Sequence, residues 1–285
     1  MGNIRIVTDS TADIPVDVRE KYGITMISLK VLFGEETYRD AVDLTPEEFY
    51  ARLKTSPVMP TTSQPSPADF VEVYEALLKE DPTGPIISLH LASVLSGTFQ
   101  SATIAKSMIE VEGADIHVID SCSASYGHGM QVLLAAQMAE AGASVEEILA
   151  AIENRQKNYE VYFLVDTLDY LQKGGRIGKA AAMIGSLLNI KPILSLEPNG
   201  AVTSVEKARG SKKAMAKIVE MLKQKLGDEP VALIVAGTDD EAIRNELEAR
   251  VTAELNVKEV HHTTVGTVIG THTGPGTSAV FLYKV

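Results

Sequence analysis

The stretch PIISLHLASVLSGTFQSATIAKSMIEV, residues 85–111, places a short apolar run directly before a helix-like pattern. The run IISLHL predicts a buried strand that Gly97 interrupts. The apolar residues after it recur three and four positions apart, as on one face of a helix that begins near Thr98. The next apolar run, IHVID at residues 116–120, predicts another strand. This order is typical of two parallel strands joined by a crossover helix.

The same alternation extends in both directions from this unit. Strands are predicted for IRIV, TMISLKVL, EVYFLV, VALIVAG and SAVFLYKV, and helices for TPEEFYARLK, PADFVEVYEALLK, GMQVLLAAQMAEAG, SVEEILAAIENRQK, KKAMAKIVEMLKQKL and DDEAIRNELEARVTAEL. Thr45 is expected to cap the first of these helices. KPILSLEPNGAVTSVEKAR predicts a hairpin, because Asn199-Gly200 supplies the positive φ angles of a tight turn. The chain is therefore predicted to be an α/β protein of two domains, residues 1–159 and 160–285.

Composition limits the partners that we expect. The 285 residues carry a formal net charge of −12 and no basic block, which argues against nucleic acid and anionic membrane surfaces. No apolar run approaches the roughly 20 residues of a transmembrane segment, and no metal-binding spacing of cysteines or histidines is present. The single cysteine, Cys122, suits a reducing compartment, so a cytoplasmic location is expected. Small ligands and other proteins remain as partners.

Four hydroxyls surround Gly97 where the predicted helix begins: Ser93, Ser96, Thr98 and Ser101. Because a helix N-terminus offers unsatisfied N–H groups and a partial positive charge, this cluster predicts a site for an anion. The alternative, that Ser96 only caps the helix, explains one of the four hydroxyls. The segment lacks the glycine patterns of phosphate loops and dinucleotide sites, so a nucleotide is not expected. Phosphate and carboxylate both remain open.

Two further segments carry candidate ligand groups. TSPVMPTTSQPSP, residues 55–67, contains four prolines, which rule out a regular element and predict a stiff, extended loop that holds Thr61 and Thr62. A rigid loop loses less entropy when it binds a ligand, although a solvated linker is the alternative. GTHTGPGT, residues 270–277, places His272 between two threonines, where it is either a structural histidine or a donor to a ligand.

Basic residues are concentrated in LQKGGRIGKA and VEKARGSKK, residues 171–180 and 205–213. On an acidic chain these groups predict either solvated helix ends or a docking surface for an acidic or phosphorylated partner.

Five segments, in this order along the chain, resemble the motifs of the DegV family of bacterial fatty-acid-binding proteins: VTDSTADIP, PTTSQPSP, LSGTFQSA, LQKGGRIG and GTHTGPG. The resemblance implies a DegV-like fold, with a Rossmann-like parallel sheet in the N-terminal domain and a mixed sheet in the C-terminal α/β domain. It implies one long-chain, palmitate-like fatty acid buried between the domains, and no cofactor or metal. It also implies a carrier rather than an enzyme. A separate ATP-dependent fatty-acid kinase subunit would convert the bound carboxylate to an acyl phosphate for phospholipid synthesis, and an acyltransferase is a further implied partner.

The resemblance also implies a carboxylate site. The family's hydroxyls match Thr61 or Thr62 and Ser93, and its histidine matches His272. Many relatives have two serines in a row where this chain has Ala92 and Ser93, which leaves open the group that holds the second carboxylate oxygen. With the helix start included, the expected site comprises Thr61, Thr62, Ser93, Ser96, Gly97 and His272.

The residues expected to contact the kinase and the residues expected to bind the fatty-acid tail lie outside the predicted carboxylate site. Family arginines associated with the kinase encounter or with a water network match Arg176 and Arg209, and both are predicted to contact the kinase. The apolar segment AAAMIGSLLNIKPIL is expected either to line the tail or to be ordinary helix core. The candidate tail residues are Ile184, Leu187, Leu188 and Ile190.

Two other function classes compete with the carrier. An enzyme that transfers phosphoryl or acyl groups would use Ser93 as nucleophile and His272 as base, but no nucleotide motif supports it. The other class is a regulator that responds to its bound lipid. The chain carries no DNA-binding signature, which argues against a regulator that binds DNA.

Overall fold

A computed structural model describes residues 3–185, 189–238 and 241–285. The strands are β1 (Arg5–Asp9), β2 (Thr25–Ile27), β3 (Lys30–Phe33), β4 (Glu36–Arg39), β5 (Thr61–Ser63), β6 (Ile86–His90), β7 (Ile116–Asp120), β8 (Tyr159–Leu164), β9 (Ile190–Leu196), β10 (Val202–Arg209), β11 (Val231–Gly237), β12 (Val257–Thr264) and β13 (Ser278–Lys284). The α-helices are α1 (Val16–Lys21), α2 (Pro46–Thr55), α3 (Pro67–Glu80), α4 (Thr98–Met108), α5 (Tyr126–Glu140), α6 (Val145–Lys157), α7 (Asp169–Lys173), α8 (Ser211–Leu226), α9 (Glu241–Glu254) and α10 (Thr267–Thr273). Two 3₁₀-helices span Ser10–Ala12 and Gly178–Met183.

The first half is built on a parallel sheet in the order β2-β1-β6-β7. Neighbouring residues of its strands face opposite sides. Val7 and Ile86 pack with α3 and α4, whereas Ile6 and Ile87 pack with α5 and α6. All five residues of β6 are buried, as expected for a central strand with helices on both faces. The predicted Rossmann-like sheet is confirmed, and so is the cap at Thr45, which forms a capping box with Glu48.

Two predictions for this half are wrong. TMISLKVL is not one strand: β2 joins the parallel sheet, while β3 lies in a separate antiparallel sheet of order β4-β3-β5. The proline-rich loop also contains a regular element, because Thr61–Ser63 forms β5 and pairs with β3. Proline lacks the N–H that a sheet needs, but here Pro60 and Pro65 flank the strand rather than interrupt it.

The second half is built on a mixed sheet in the order β10-β9-β8-β13-β11-β12, in which only β11 and β12 run parallel. Helices α8 and α9 cover one face of this sheet, and the other face turns towards the first half. The predicted hairpin is β9-β10. Of the two turn residues Asn199 and Gly200, only Gly200 has a positive φ angle, 88°, and its N–H donates to the Glu197 carbonyl at 2.8 Å.

The chain passes from the first sheet to the second between α6 and β8, at residues 157–159. The division into domains at residues 159 and 160 stays a prediction. In the described part of the chain, no helix is long and apolar enough to cross a bilayer.

The buried carboxylate of Asp9, at the end of β1, connects three elements. It accepts hydrogen bonds from the Thr11 N–H at 3.1 Å and the Thr11 hydroxyl at 2.5 Å, and from the Leu91 N–H at 3.1 Å. His90 Nδ1 lies 3.0 Å from the same carboxylate. Burial alone would raise the pKa of Asp9, but His128, His90 and the hydrogen bonds lower it to about 2. The carboxylate therefore stays charged and holds the ends of β1 and β6 together.

We expect Asp9→Asn to lower the free energy of unfolding by about 2–3 kcal/mol at pH 7, because the amide cannot accept all these hydrogen bonds. The folded-state pKa of Asp9 lies below its ordinary value, so its stabilisation is present above pH 4 and lost as the pH falls towards 2. Urea unfolding at several pH values measures both effects. Asp17→Asn, on the exposed face of α1, is the control. Equal stabilities for the two variants would contradict this role of Asp9.

Candidate functional site

A cavity lies between the inner face of the six-stranded sheet and the first half. Its apolar wall is formed largely by alternate residues of the second-half strands, which point to one face of the sheet. These are Val161, Phe163, Leu196, Val202, Ala279 and Phe281. Helix α10 supplies a second wall with Val268 and Ile269. The first half contributes Leu29, Leu91 and Leu95.

Helix α10 belongs to the second half but is held at its N-terminus by the first. The Asp13 carboxyl accepts hydrogen bonds from the Gly266 N–H and from the Ser125 hydroxyl, a cavity residue, at 2.5 Å. The Asp40 carboxyl accepts from the Thr267 hydroxyl at 2.7 Å. Burial raises the pKa of Asp13 and of Asp40. Both carboxyls thus accept hydrogen bonds at the buried N-terminus of a short helix that carries His272 to the cavity.

Polar side chains meet at one end of the cavity. His272 Nε2 lies 2.9 Å from the Thr62 hydroxyl, which joins α10 to β5. Gly174 packs against the other side of the imidazole, where a Cβ would lie 2.3 Å from Nδ1. Burial and the nearby Arg176 guanidinium lower the pKa of His272 to about 4. His272 is therefore neutral at pH 7.

Arg176 reaches this end of the cavity from the loop after α7. Its Nε donates to the Leu95 carbonyl at 3.0 Å, and its Nη1 donates to the Gly174 carbonyl at 2.6 Å. These two bonds fix the guanidinium in the cavity wall. Nη2 makes no hydrogen bond to the part of the chain that the structure describes, so it is available to an anion.

The N-terminus of α4 lies beside these groups, but its first N–H groups are already occupied. The Gly97 N–H donates to Gln64 Oε1 at 3.0 Å, and the Thr98 N–H donates to the Ser96 hydroxyl at 3.3 Å. Gly97 is the N-cap residue, and Ser96, one residue earlier, accepts from the first helical N–H and also lines the cavity. The prediction of free N–H groups at this helix end is wrong for these two positions.

The structure separates the predicted hydroxyls. Thr62 and Ser96 line the cavity, whereas Thr61 and Ser93 are exposed and do not. The Ser93 N–H donates to Asp120 at 3.2 Å, outside the cavity. Ser93 therefore does not meet His272 there, and the geometry does not support these two residues as nucleophile and base.

The other predicted residues lie in different places. Arg176, expected at a partner surface, lines the cavity, whereas Arg209 is exposed at the end of β10. Ile184 is 46% exposed, and Ile190 begins β9 without lining the cavity. Leu187 and Leu188 lie outside the described residues. Ile184 and Ile190 therefore do not line this cavity, and their role in tail binding stays a prediction.

Sequence reasoning missed two parts of the site. Gln64 lies in the proline-rich segment, but no pattern distinguished it from its hydroxyl neighbours. The apolar wall comes from alternate positions of β8 and β13, such as Val161 and Phe163. Their alternation was visible in EVYFLV, but the sequence does not show which face of the sheet borders a cavity.

The model of the family described as "Uncharacterised protein, DegV family" matches residues 3–285. The chain belongs to the DegV family. A DegV domain-containing protein of Caldanaerobacter subterraneus is 41% identical over 284 residues, which are 99% of each chain. A DegV family protein of Thermus thermophilus, described for its fatty acid binding, has a TM-score of 0.92 and 38% identity over 99% of this chain and 100% of that chain. DegV of Bacillus subtilis, described as a fatty acid binding protein, has a TM-score of 0.89 and 38% identity, with 100% of both chains covered. The α/β fold expected for a DegV protein is confirmed.

Within this DegV protein, His272 gives a direct test of the site's electrostatics. We expect its imidazole signals in an NMR titration to stay unchanged between pH 8 and 6 and to titrate near pH 4. Arg176→Gln removes a positive charge and should raise the pKa of His272, although burial keeps it below 6.5. Because the neutral form is favoured on folding, His272 contributes stability above pH 6.5 that is lost as the pH falls towards 4.

A His272 imidazole whose signals titrate between pH 8 and 6 would show that the ring is not enclosed as described.

Proposed function

We propose that this protein binds one long-chain fatty acid, with its carboxylate at the polar end of the cavity and its tail along the apolar wall. The observation that carries the proposal is the cavity itself, which is apolar along the strands and ends in hydroxyls, a neutral histidine and an arginine. Ligand cavities are typically lined by apolar side chains with a few convergent polar groups. The two DegV relatives described as fatty acid binding support the same ligand class.

The carboxylate is held by hydroxyl donors in this proposal. His272 protonated at Nε2 donates to the Thr62 oxygen, which leaves the Thr62 hydrogen free for the ligand. Thr98 can likewise donate to Ser96, 2.9 Å away, and leave the Ser96 hydrogen free. Nη2 of Arg176 supplies the positive charge. This arrangement gives the second carboxylate oxygen a partner without a second serine, since Ala92 is buried against Gly200, away from the cavity.

The tail supplies most of the affinity. Burial of about 15 methylenes, at about 0.8 kcal/mol each, contributes about 12 kcal/mol before the cost of ordering the ligand. A palmitate-like chain is therefore the expected occupant.

The protein presents this ligand to partners in the cytoplasm. We propose that a separate ATP-dependent kinase subunit phosphorylates the carboxylate, since hydroxyls hold it without a bidentate arginine that would block both oxygens. Arg209 is exposed and belongs to the surface offered to the kinase. An acyltransferase that consumes the acyl phosphate is the further partner.

We expect mass spectrometry of an organic extract of the denatured protein to find about one fatty acid per chain. Thr62→Val and Ser96→Ala should each reduce the amount retained and weaken palmitate binding about tenfold, because each removes one donor to a buried anion. Ser93→Ala is the matched control, since Ser93 is exposed outside the cavity. Loss of fatty acid from the Ser93 variant but not from the Ser96 variant would contradict our assignment of the hydroxyls. No fatty acid, even after incubation with palmitate, would contradict the proposed function.

A second prediction concerns the kinase. Arg209→Ala should leave palmitate binding unchanged and slow acyl phosphate formation by a fatty-acid kinase subunit at least severalfold, because it removes an exposed positive charge from the contact surface. Lys258→Ala, which removes an exposed charge from β12, is the control. An Arg209 variant that loses its lipid would place this residue in the binding site instead, and unchanged kinetics would exclude it from the kinase contact.

A further inference from the structure

Gln64 occupies a distinctive position at the polar end of the cavity. It follows β5, in which neighbouring side chains point in opposite directions. Thr62 and Gln64, two positions apart, both line the cavity, and Gln64 is also open to solvent, whereas Thr61 and Ser63 are exposed without lining it. The proposed carboxylate contacts of Thr62, Ser96 and Arg176 do not include the Gln64 side chain.

The Gln64 amide uses both its acceptor and its donor to hold the start of α4. Oε1 accepts from the Gly97 N–H at 3.0 Å, and Nε2 donates to the Ser101 hydroxyl, one turn further along the helix, at 3.3 Å. Gly97 directly precedes the helix and follows Ser96. The amide is therefore attached beside one of the two proposed carboxylate hydroxyls.

Close packing reinforces these hydrogen bonds. A Cβ at Gly97 would lie 2.4 Å from both Oε1 and Nε2 of Gln64 and 2.7 Å from its Cδ. Only glycine lets the amide approach the helix this closely. The Gln64 side chain of the TTSQP segment thus packs into the space that the absent side chain of Gly97 leaves in the LSGTFQS segment.

We propose that Gln64 is a positioning residue for the carboxylate site, an inference that rests on the proposed function. The first hydroxyl, Thr62, belongs to β5 and is held by His272 on α10. The second, Ser96, belongs to the turn before α4. Gln64 lies two residues after Thr62 in the chain, and it accepts a hydrogen bond from Gly97, the residue after Ser96. Gln64 therefore fixes the distance between the Thr62 and Ser96 hydroxyls.

An amide suits this role better than a carboxylate. Glutamate at this position can still accept from the Gly97 N–H, but it cannot donate to Ser101 when ionised. It would also place a negative charge beside the bound carboxylate. Alanine loses both hydrogen bonds and adds no charge.

The test compares two ligands with the same tail. We expect Gln64→Ala to raise the Kd for palmitate about tenfold and the Kd for hexadecan-1-ol less than about twofold, because only the charged head group needs both hydroxyls in place. Gln64→Glu should raise the Kd for palmitate further and change that for hexadecan-1-ol as little. Thr61→Ala, at an exposed position of the preceding strand β5, is the matched control and should change neither.

Gly97→Ala provides an independent variant, because it pushes the amide away without altering Gln64. We expect the same selective loss of palmitate affinity, with the melting temperature of each variant measured alongside.

The possible outcomes separate failure of the proposed fatty-acid binding from failure of the positioning role of Gln64. A wild-type protein that binds neither ligand overturns the proposed function, and the role of Gln64 with it. A wild-type protein that binds palmitate, with the Gln64 variants either unchanged or equally impaired for both ligands, overturns the positioning role alone.

Discussion

The rest of the structure depends on a charged carboxylate buried at the end of β1. Asp9 is fully buried, and the donors that surround it come from its own 3₁₀-helix and from the end of β6. A buried charge is costly to desolvate unless hydrogen bonds satisfy it, so these segments must adopt one mutual arrangement. That arrangement sets where the chain leaves β6. The turn that carries Leu95 and Ser96 into the cavity begins one residue after Leu91, which donates to Asp9.

Residues from both halves of the chain line the cavity. The second half supplies the apolar wall and α10, and the first half supplies the turn after β6 and the short strand β5. Asp13 and Asp40 bind the N-terminus of α10, while Thr62 binds the histidine near its other end. The helix is therefore held at both ends by residues more than 200 positions away in sequence. Neither half contains a complete site.

Local periodicity predicted the elements well, since β6, α4 and β7 repeat the patterns that one buried strand and one amphipathic helix require. Periodicity did not predict which sheet a strand joins, because that depends on tertiary pairing. Within TMISLKVL, no residue pattern indicates where the chain passes from the parallel sheet that contains β2 to the antiparallel sheet that contains β3. Ser93 and Ser96 are both hydroxyls near a helix start, and only the turn, in which the Leu95 and Ser96 N–H groups bond to the Ala92 carbonyl, distinguishes them. The sequence suggested an apolar wall in the continuous run AAAMIGSLLNIKPIL, but alternate residues of separate strands form the apolar wall of this cavity.

The position of β13 in the second sheet has a consequence for the order of events during synthesis. This strand pairs with β8 on one side and with β11 on the other, although it follows both along the chain. Until residues 278–284 have left the ribosome, the sheet stays divided into two parts with unpaired inner edges. The strand also carries Ala279 and Phe281 to the cavity wall. A nascent chain that lacks this strand thus exposes unpaired apolar strand edges, which are the kind of surface that chaperones protect from aggregation.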